Sequence, residues 1–354
     1  MTEQFFSECS PPLKSLYSRI QERSVFPLVS MIQLTDRCNL SCRHCLEPHN
    51  MYKNSELTTG QWFKVLKELA DAGTLMLSVS GGEPGLRKDF FEIINEAKRL
   101  NFSIALKSSA TLFTVKDVLR LWESGVTKLD VSIYSHIPED HDKFVGKTGA
   151  FELTVKALRI FKNAGGIARA NMIAMNWNFK SVTPFIDMCI NEGWRYSVDS
   201  RVQPRVDGGK QPIAFRPEEA QIVDVLSDKR LIEDVPKTPD RDMDAPVCGA
   251  GKTMTVIRPN GDVWPCSVWP RVLGNILETP YSEICNIDKN PVLRAIDNLK
   301  WSDSKKCSNC SLADYCDRCP ASGDLEHGNF TEPGSVDCVL ASAYKKIDDI
   351  KNRG

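Results

Sequence analysis

The 354-residue chain has almost no net charge: 45 Lys and Arg against 46 Asp and Glu leave −1. No global field therefore draws nucleic acid or an anionic membrane surface to it. It has no apolar run long enough to cross a bilayer. Its start, MTEQFFSECSPP, lacks the basic region and apolar stretch of a secretory signal. These absences point to a cytoplasmic protein with neither a nucleic-acid nor a membrane partner. The rest of the composition, 42% hydrophobic and 26% charged, is that of an ordinary globular chain. The length suffices for one large domain with a smaller one attached.

What the chain has in excess is cysteine. Thirteen of them, without an export signal, argue for metal or redox chemistry over a disulfide framework. Three fall in TDRCNLSCRHC as Cys38, Cys42 and Cys45, a C-x3-C-x2-C run. Seven lie further on: Cys248, Cys266, Cys307, Cys310, Cys316, Cys319 and Cys338. Cys9, Cys189 and Cys285 stand alone and read as small hydrophobes. Three thiols are one short of the four ligands of a tetrahedral metal or a cubane cluster. Either a fourth comes from elsewhere, or a position stays open for something that binds.

The first two-thirds alternates strand-like and helix-like segments. LVSMIQLT leads into the cysteine run, and TTGQWFKVLKELADAG follows with Trp62, Val65, Leu66 and Leu69 on one helical face. Thr58 or Thr59 fits its start and Gly73 its end. The alternation continues through TLMLSVS, FSIAL, KLDVSIY, ARANMIAM and WRYSVDSRV, each of the first four followed by a helix-period segment. Such alternation implies parallel strands with right-handed crossovers. About six units suggest an α/β fold with a partial (β/α)6 TIM-like barrel; a doubly wound open sheet is the alternative. In a barrel, chemistry collects on the loops after the strands. SGGEPG (80–85), KSSA and Ser132 with YSHIPEDHD would share that rim with the three cysteines. On its own SGGEPG reads as a tight turn.

C-x3-C-x2-C after the first strand and G-G-E-P after the second resemble the radical S-adenosylmethionine (SAM) enzymes over most of residues 26–200. The resemblance implies that Cys38, Cys42 and Cys45 hold a [4Fe-4S] cluster whose fourth iron is ligated by SAM; the missing ligand is then the cosubstrate. It implies that Gly81 and Gly82 let the backbone approach the methionyl group, that Glu83 helps hold its amino end, and that Ser132 touches its ribose or carboxylate. Ser108 joins this SAM-facing rim, with SSA where relatives more often have TNG. His44 is expected to cover the cluster.

In the C-terminal third, Asn260-Gly261 between strand-like runs is a hairpin signal, and a two-residue turn would return Cys266 to Cys248. Cys307, Cys310, Cys316 and Cys319 form C-x2-C-x5-C-x2-C. Spacing alone leaves a zinc-ribbon-like site and an iron–sulfur site open. Taken with the N-terminal part, the pattern resembles a SPASM domain, a small Cys-rich α+β extension. That implies two auxiliary clusters, [4Fe-4S] in most relatives: one on Cys307, Cys310, Cys316 and Cys338, the other on Cys248, Cys266 and Cys319 without an apparent fourth ligand. The expected division is an extension at 1–25, the radical SAM barrel at 26–210, a linker with one helix near PEEAQIVDVLSD at 211–244, the SPASM domain at 245–345 and a tail at 346–354.

The function expected from this resemblance is reductive cleavage of SAM to a 5′-deoxyadenosyl radical that takes hydrogen from a substrate carbon. A ribosomally made peptide is the first reading of the substrate, to be cross-linked, epimerised or oxidised. The second is a small molecule, as in aminoglycoside-type alcohol dehydrogenases or haem-propionate decarboxylases. A non-catalytic metal-binding protein is the third. Ser267, where sulfatase-maturing relatives carry a carboxylate, argues against that branch. Expected partners are an electron donor such as flavodoxin or ferredoxin and a separate leader-peptide-binding protein. The seven tryptophans read as packing residues. His136 and His141, with Asp140 and Asp142, read as a solvated, turn-forming loop.

Overall fold

The computed structural model describes residues 28–352, apart from 50, 53, 54, 233 and 234. The proposed extension at 1–25, with Cys9, lies outside the described residues. Six parallel strands, β1 (Val29–Gln33), β2 (Met76–Ser80), β3 (Ser103–Lys107), β4 (Val126–Ser132), β5 (Ile167–Ile173) and β6 (Arg195–Asp199), lie side by side in chain order. Between them run α1 (Thr59–Asp71), α2 (Phe90–Arg99), α3 (Val115–Glu123), α4 (Pro138–Val145), α5 (Ala150–Asn163) and α6 (Val182–Glu192). The period-2 alternation sorts each strand. Leu77, Val79, Ile104, Leu106, Leu129 and Val131 are buried with Trp62, Leu66, Phe90, Ile94 and Phe161 of the helices in one hydrophobic core. The opposite face carries Met31, Ser78, Lys107, Asp130 and Arg195, and residues of all six strands line one cavity of about 400 Å³ there. The sheet therefore curls around that face, the partial-barrel form read from the sequence.

Local chemistry sets the helix boundaries. Thr58 caps α1 and forms a reciprocal box with Gln61, while Gly73 (φ +90°) leaves the helix. The linker helix is present as α7 (Glu219–Leu226), which packs Ile222 against Val336, Leu340 and Ala343 of the last helix, α11 (Ser335–Lys351).

Three features depart from the sequence reading. The stretch after β4 is not a solvated loop: Pro138 opens α4, and His141 is 2% exposed beside buried Phe144 and Val145. The Asn260-Gly261 hairpin joins β7 (Met254–Ile257) to β8 (Asp262–Trp264) through three residues, since Arg258 N–H still donates to Asp262 (2.8 Å) and Gly261 takes φ +91°. Finally, β7 pairs in parallel with β1, and β8 and β9 (Gly274–Asn275) extend the same nine-stranded sheet. The hairpin of the cysteine-rich third is thus continuous with the barrel strands. Three short helices follow it: α8 (Tyr281–Ile284), α9 (Pro291–Asp297) and α10 (Pro320–His327).

Burial lowers the pKa of His141 to about 4, and its Nδ1 accepts from Tyr134 N–H (3.2 Å). An unfolded histidine titrates near 6.5, so between about 6.5 and 4 the unfolded chain binds the extra proton. Folding stability is then lost as pH falls through that window, by roughly 3 kcal/mol at most. Urea titrations across the window are expected to show this slope, and His141→Gln to flatten it.

Candidate functional site

The cysteine loop leaves β1 and is fixed by its backbone. Ser41 N–H donates to Val145 (2.9 Å) and Arg43 N–H to Phe144 (3.3 Å), which hangs the loop on the end of α4. Asn39 donates to Thr111 (2.9 Å), and Cys45 N–H closes on Cys42 (3.0 Å). Burial raises the thiols of Cys38 and Cys45 and pushes Cys42 up to about 12, and the charges of neighbouring cysteines in the loop add to the rise at Cys42 and Cys45. Three adjacent thiols that resist ionisation individually are a poor anion site and a fitting cation site: iron favours the thiolate that burial disfavours. His44 packs on Tyr134 (4.8 Å between centroids) and Phe144 (5.3 Å), with its Nδ1 buried and unpartnered.

The loop after β2 lies directly on this loop. Gly82 N–H donates to Thr35 (2.8 Å) and Glu83 N–H to Arg37 (2.8 Å). A Cβ on Gly81 would collide with the Thr35 carbonyl, and one on Gly82 with those of Arg37 and Asp36, the latter at 2.8 Å. The two glycines are needed for loop-to-loop contact, whatever else their bare backbone admits. Both line a cavity of about 320 Å³ together with Cys38, Cys42, Cys45 and Ser132.

Glu83 departs from its expected role. It is fully buried, and its carboxylate already accepts from Ser108 Oγ (2.7 Å), Gly85 N–H (3.2 Å), Ser109 N–H (2.9 Å) and Ser109 Oγ (2.7 Å). Four donors fill the acceptor sites of one carboxylate. Glu83 therefore stands behind the cavity wall as a brace, and Ser108 and Ser109 do line the cavity. The SSA variation has a structural meaning here: its two hydroxyls hold the glutamate.

The remaining seven cysteines sort into two neighbourhoods. Burial raises the thiols of Cys248 and Cys266, and the nearby charge of Cys319 adds to the rise at both. Burial pushes Cys316 up to about 12 and raises Cys338; Asp337 adds to both, and behind it Cys307 and Cys338 act on Cys316, and Cys307 and Cys310 on Cys338. Gly251 N–H on Pro265 (2.9 Å) draws the Cys248 and Cys266 segments together. Among the described residues, no three His, Cys, Asp or Glu side chains close on a single metal ion. A four-iron cube spreads its thiolates wider than one ion does, because each sulfur binds a different corner. Arg201, just after β6, donates to the Asp317 carbonyl (2.7 Å) and lies 3.6 Å from Asp337, tying this region to the barrel. Cys189 and Cys285 are buried in the core.

The sequence reading missed three contributors. Arg258, after β7, makes a bidentate pair with Glu47 (2.8 and 2.7 Å), two residues beyond Cys45, and is stacked 4.0 Å over Trp264. His141 lines the cysteine-bearing cavity, hidden in a charged stretch. Asp130 lines it too, 3% exposed, in the middle of β4. A lone acid inside the apolar KLDVSIY run was the one available signal.

The family model of the radical SAM superfamily matches residues 32–189, and that of the SPASM iron–sulfur cluster-binding domain matches 248–311. The chain is similar to an AdoMet-dependent heme synthase of Methanosarcina barkeri, 27% identical over 85% of this chain and 93% of that one. It is also similar to the subtilosin biosynthesis protein AlbA of Bacillus subtilis, 28% identical over 84% and 68%. Among solved structures it resembles Streptococcus suis SuiB bound to its precursor peptide SuiA, with TM-score 0.71, 19% identity and coverage of 93% and 82%. The two family models together span more than half of the chain, and they meet the cysteine runs and the curled sheet already described. The protein is a radical SAM enzyme that carries a SPASM iron–sulfur domain in its C-terminal third.

Proposed function

We propose that this enzyme modifies a ribosomally made peptide by abstracting hydrogen from one of its carbons. The observation that carries the SAM site is the meeting of Cys38, Cys42, Cys45 and the backbone of Gly81 and Gly82 on one cavity. A [4Fe-4S] cluster and SAM, when bound, supply the one-electron cleavage that yields the 5′-deoxyadenosyl radical. In this reading the three thiolates hold the cluster and leave one iron for SAM. Gly81 and Gly82 present bare backbone to the methionyl group, and Ser132 offers its hydroxyl to the ribose or carboxylate. Glu83 and Ser108 keep the wall in place. Tyr134, Phe144 and His44 screen the loop from water.

The two other neighbourhoods fit auxiliary clusters on Cys307, Cys310, Cys316 and Cys338, and on Cys248, Cys266 and Cys319. The working division of the chain remains 26–210, 211–244 and 245–345. A peptide substrate is supported by the subtilosin biosynthesis protein among the relatives. An electron donor such as flavodoxin or ferredoxin and a separate leader-peptide-binding protein complete this reading. A small-molecule substrate is the second reading, favoured by the heme synthase match along 93% of that protein's length.

Anaerobically reconstituted protein is expected to hold about 12 iron and 12 sulfide per chain, three clusters' worth. Cys38→Ala should lose about a third of each and all 5′-deoxyadenosine formation, as measured by metal analysis and chromatography. One cluster's worth with stoichiometric zinc would remove the auxiliary clusters from the proposal. Glu83→Gln turns an acceptor towards donors as a donor itself, at a cost of about 2 kcal/mol. Denaturant unfolding and SAM binding should weaken together in that variant; loss of SAM binding at unchanged stability would make Glu83 a direct contact instead.

A further inference from the structure

The sheet register places four charged residues side by side on the curled face. Lys107 pairs with Asp130, Asp130 with Arg169, and Arg169 with Arg195, across β3, β4, β5 and β6. Lys128 lies two residues before Asp130 on the same strand face. Asp130 is 3% exposed, and neither of its oxygens has a hydrogen bond. It is held only by charge: Lys128 at 3.1 Å, Lys107 at 3.7 Å and Arg169 at 4.0 Å. Arg195 has no ion pair among the described residues. Three cations thus surround one carboxylate, with the exposed Arg195 one strand beyond Arg169, leaving a local positive excess and two unfilled acceptor atoms on a buried carboxylate, atoms that are costly to leave unpaired.

The row has a fixed place relative to the cosubstrate site. Lys107 and Asp130 line both the upper cavity, with the cysteines, and the lower one, with Lys128 and Arg195. Ser132, the SAM-facing residue of β4, is one strand repeat above Asp130, about 7 Å. A molecule seated on this row lies directly beneath the upper cavity.

We propose that Lys107, Asp130, Arg169 and Arg195 form the anchor for a carboxylate-bearing substrate, namely an acidic residue of the peptide. The cations take the carboxylate, and Asp130 accepts from an N–H close to it, as the main chain of an acidic residue supplies. A dianionic group such as phosphate would meet more repulsion from Asp130 for the same cations. The inference rests on the SAM-site reading above it.

The test uses the reconstituted, SAM-loaded enzyme and ligand-observed NMR with three probes: a blocked glutamate tripeptide, its glutamine counterpart and phenylpropionate. The glutamate peptide should bind and the glutamine peptide at least tenfold more weakly. Arg195→Met, which removes no ion pair, and Arg169→Met should each weaken the glutamate probe by about tenfold, with Arg169→Lys recovering part of it. SAM binding in the same samples should be unchanged. Phenylpropionate binding better than the peptide would keep the carboxylate anchor and assign it to a small molecule, overturning the peptide source. Equal binding of the glutamate and glutamine peptides, no binding of either carboxylate, or indifference to both arginine variants overturns the anchor itself. Loss of SAM binding in the wild-type enzyme would instead overturn the reading on which it rests.

Discussion

Two loops in this molecule meet main chain to main chain. The turn after β2 lies so close to the cysteine loop that its N–H groups donate straight into the carbonyls of Thr35 and Arg37. No side chain fits between them at Gly81 or Gly82. Under the proposed reading, three thiols that face one cluster cannot tolerate a loop that drifts, and hydrogen bonds between main chains offer fewer rotamers than any side-chain contact. The position of the cavity that the two glycines share with the cysteines follows from this seam.

The bracing around it comes from distant parts of the chain. Glu83 ties the second loop to the third through Ser108 and Ser109. The end of α4 holds the cysteine loop from the other side, and Arg258 reaches Glu47 from the hairpin of the C-terminal third. A buried arginine with one carboxylate, aromatic faces and little solvent is strongly destabilised if its partner is lost. That cost couples the two cysteine-bearing parts of the protein through one side chain.

Much of this was legible in the sequence, because it depends on local patterns. Strand and helix periods, the Thr58 cap and the cysteine spacings are set by residues near one another. The helix at Pro138–Val145 was not legible: PEDHDKF shows charge where a helix of the barrel shows an apolar stripe, and only tertiary packing buries His141. The four donors on Glu83 were hidden because two of the residues supplying them are 25 or more positions away. The row from Lys107 to Arg195 exists only once strand register is known, since parallel strands bring together residues that the sequence separates by whole helices. The hairpin signal at Asn260-Gly261 was correct in kind, but register added one residue to its loop.

The pairing of β7 with β1 has a consequence for the chain as a polymer. Strand β1 has β2 on one side and, on the other, a strand more than 200 residues later. Until that later strand emerges from synthesis and docks, β1 presents a bare row of N–H and C=O groups beside Val29 and Met31. A nascent or truncated N-terminal half is therefore a sticky template, and long loop closure slows its rescue. The cysteine-rich third acts as the cover of that edge, which makes it part of the barrel's own solubility.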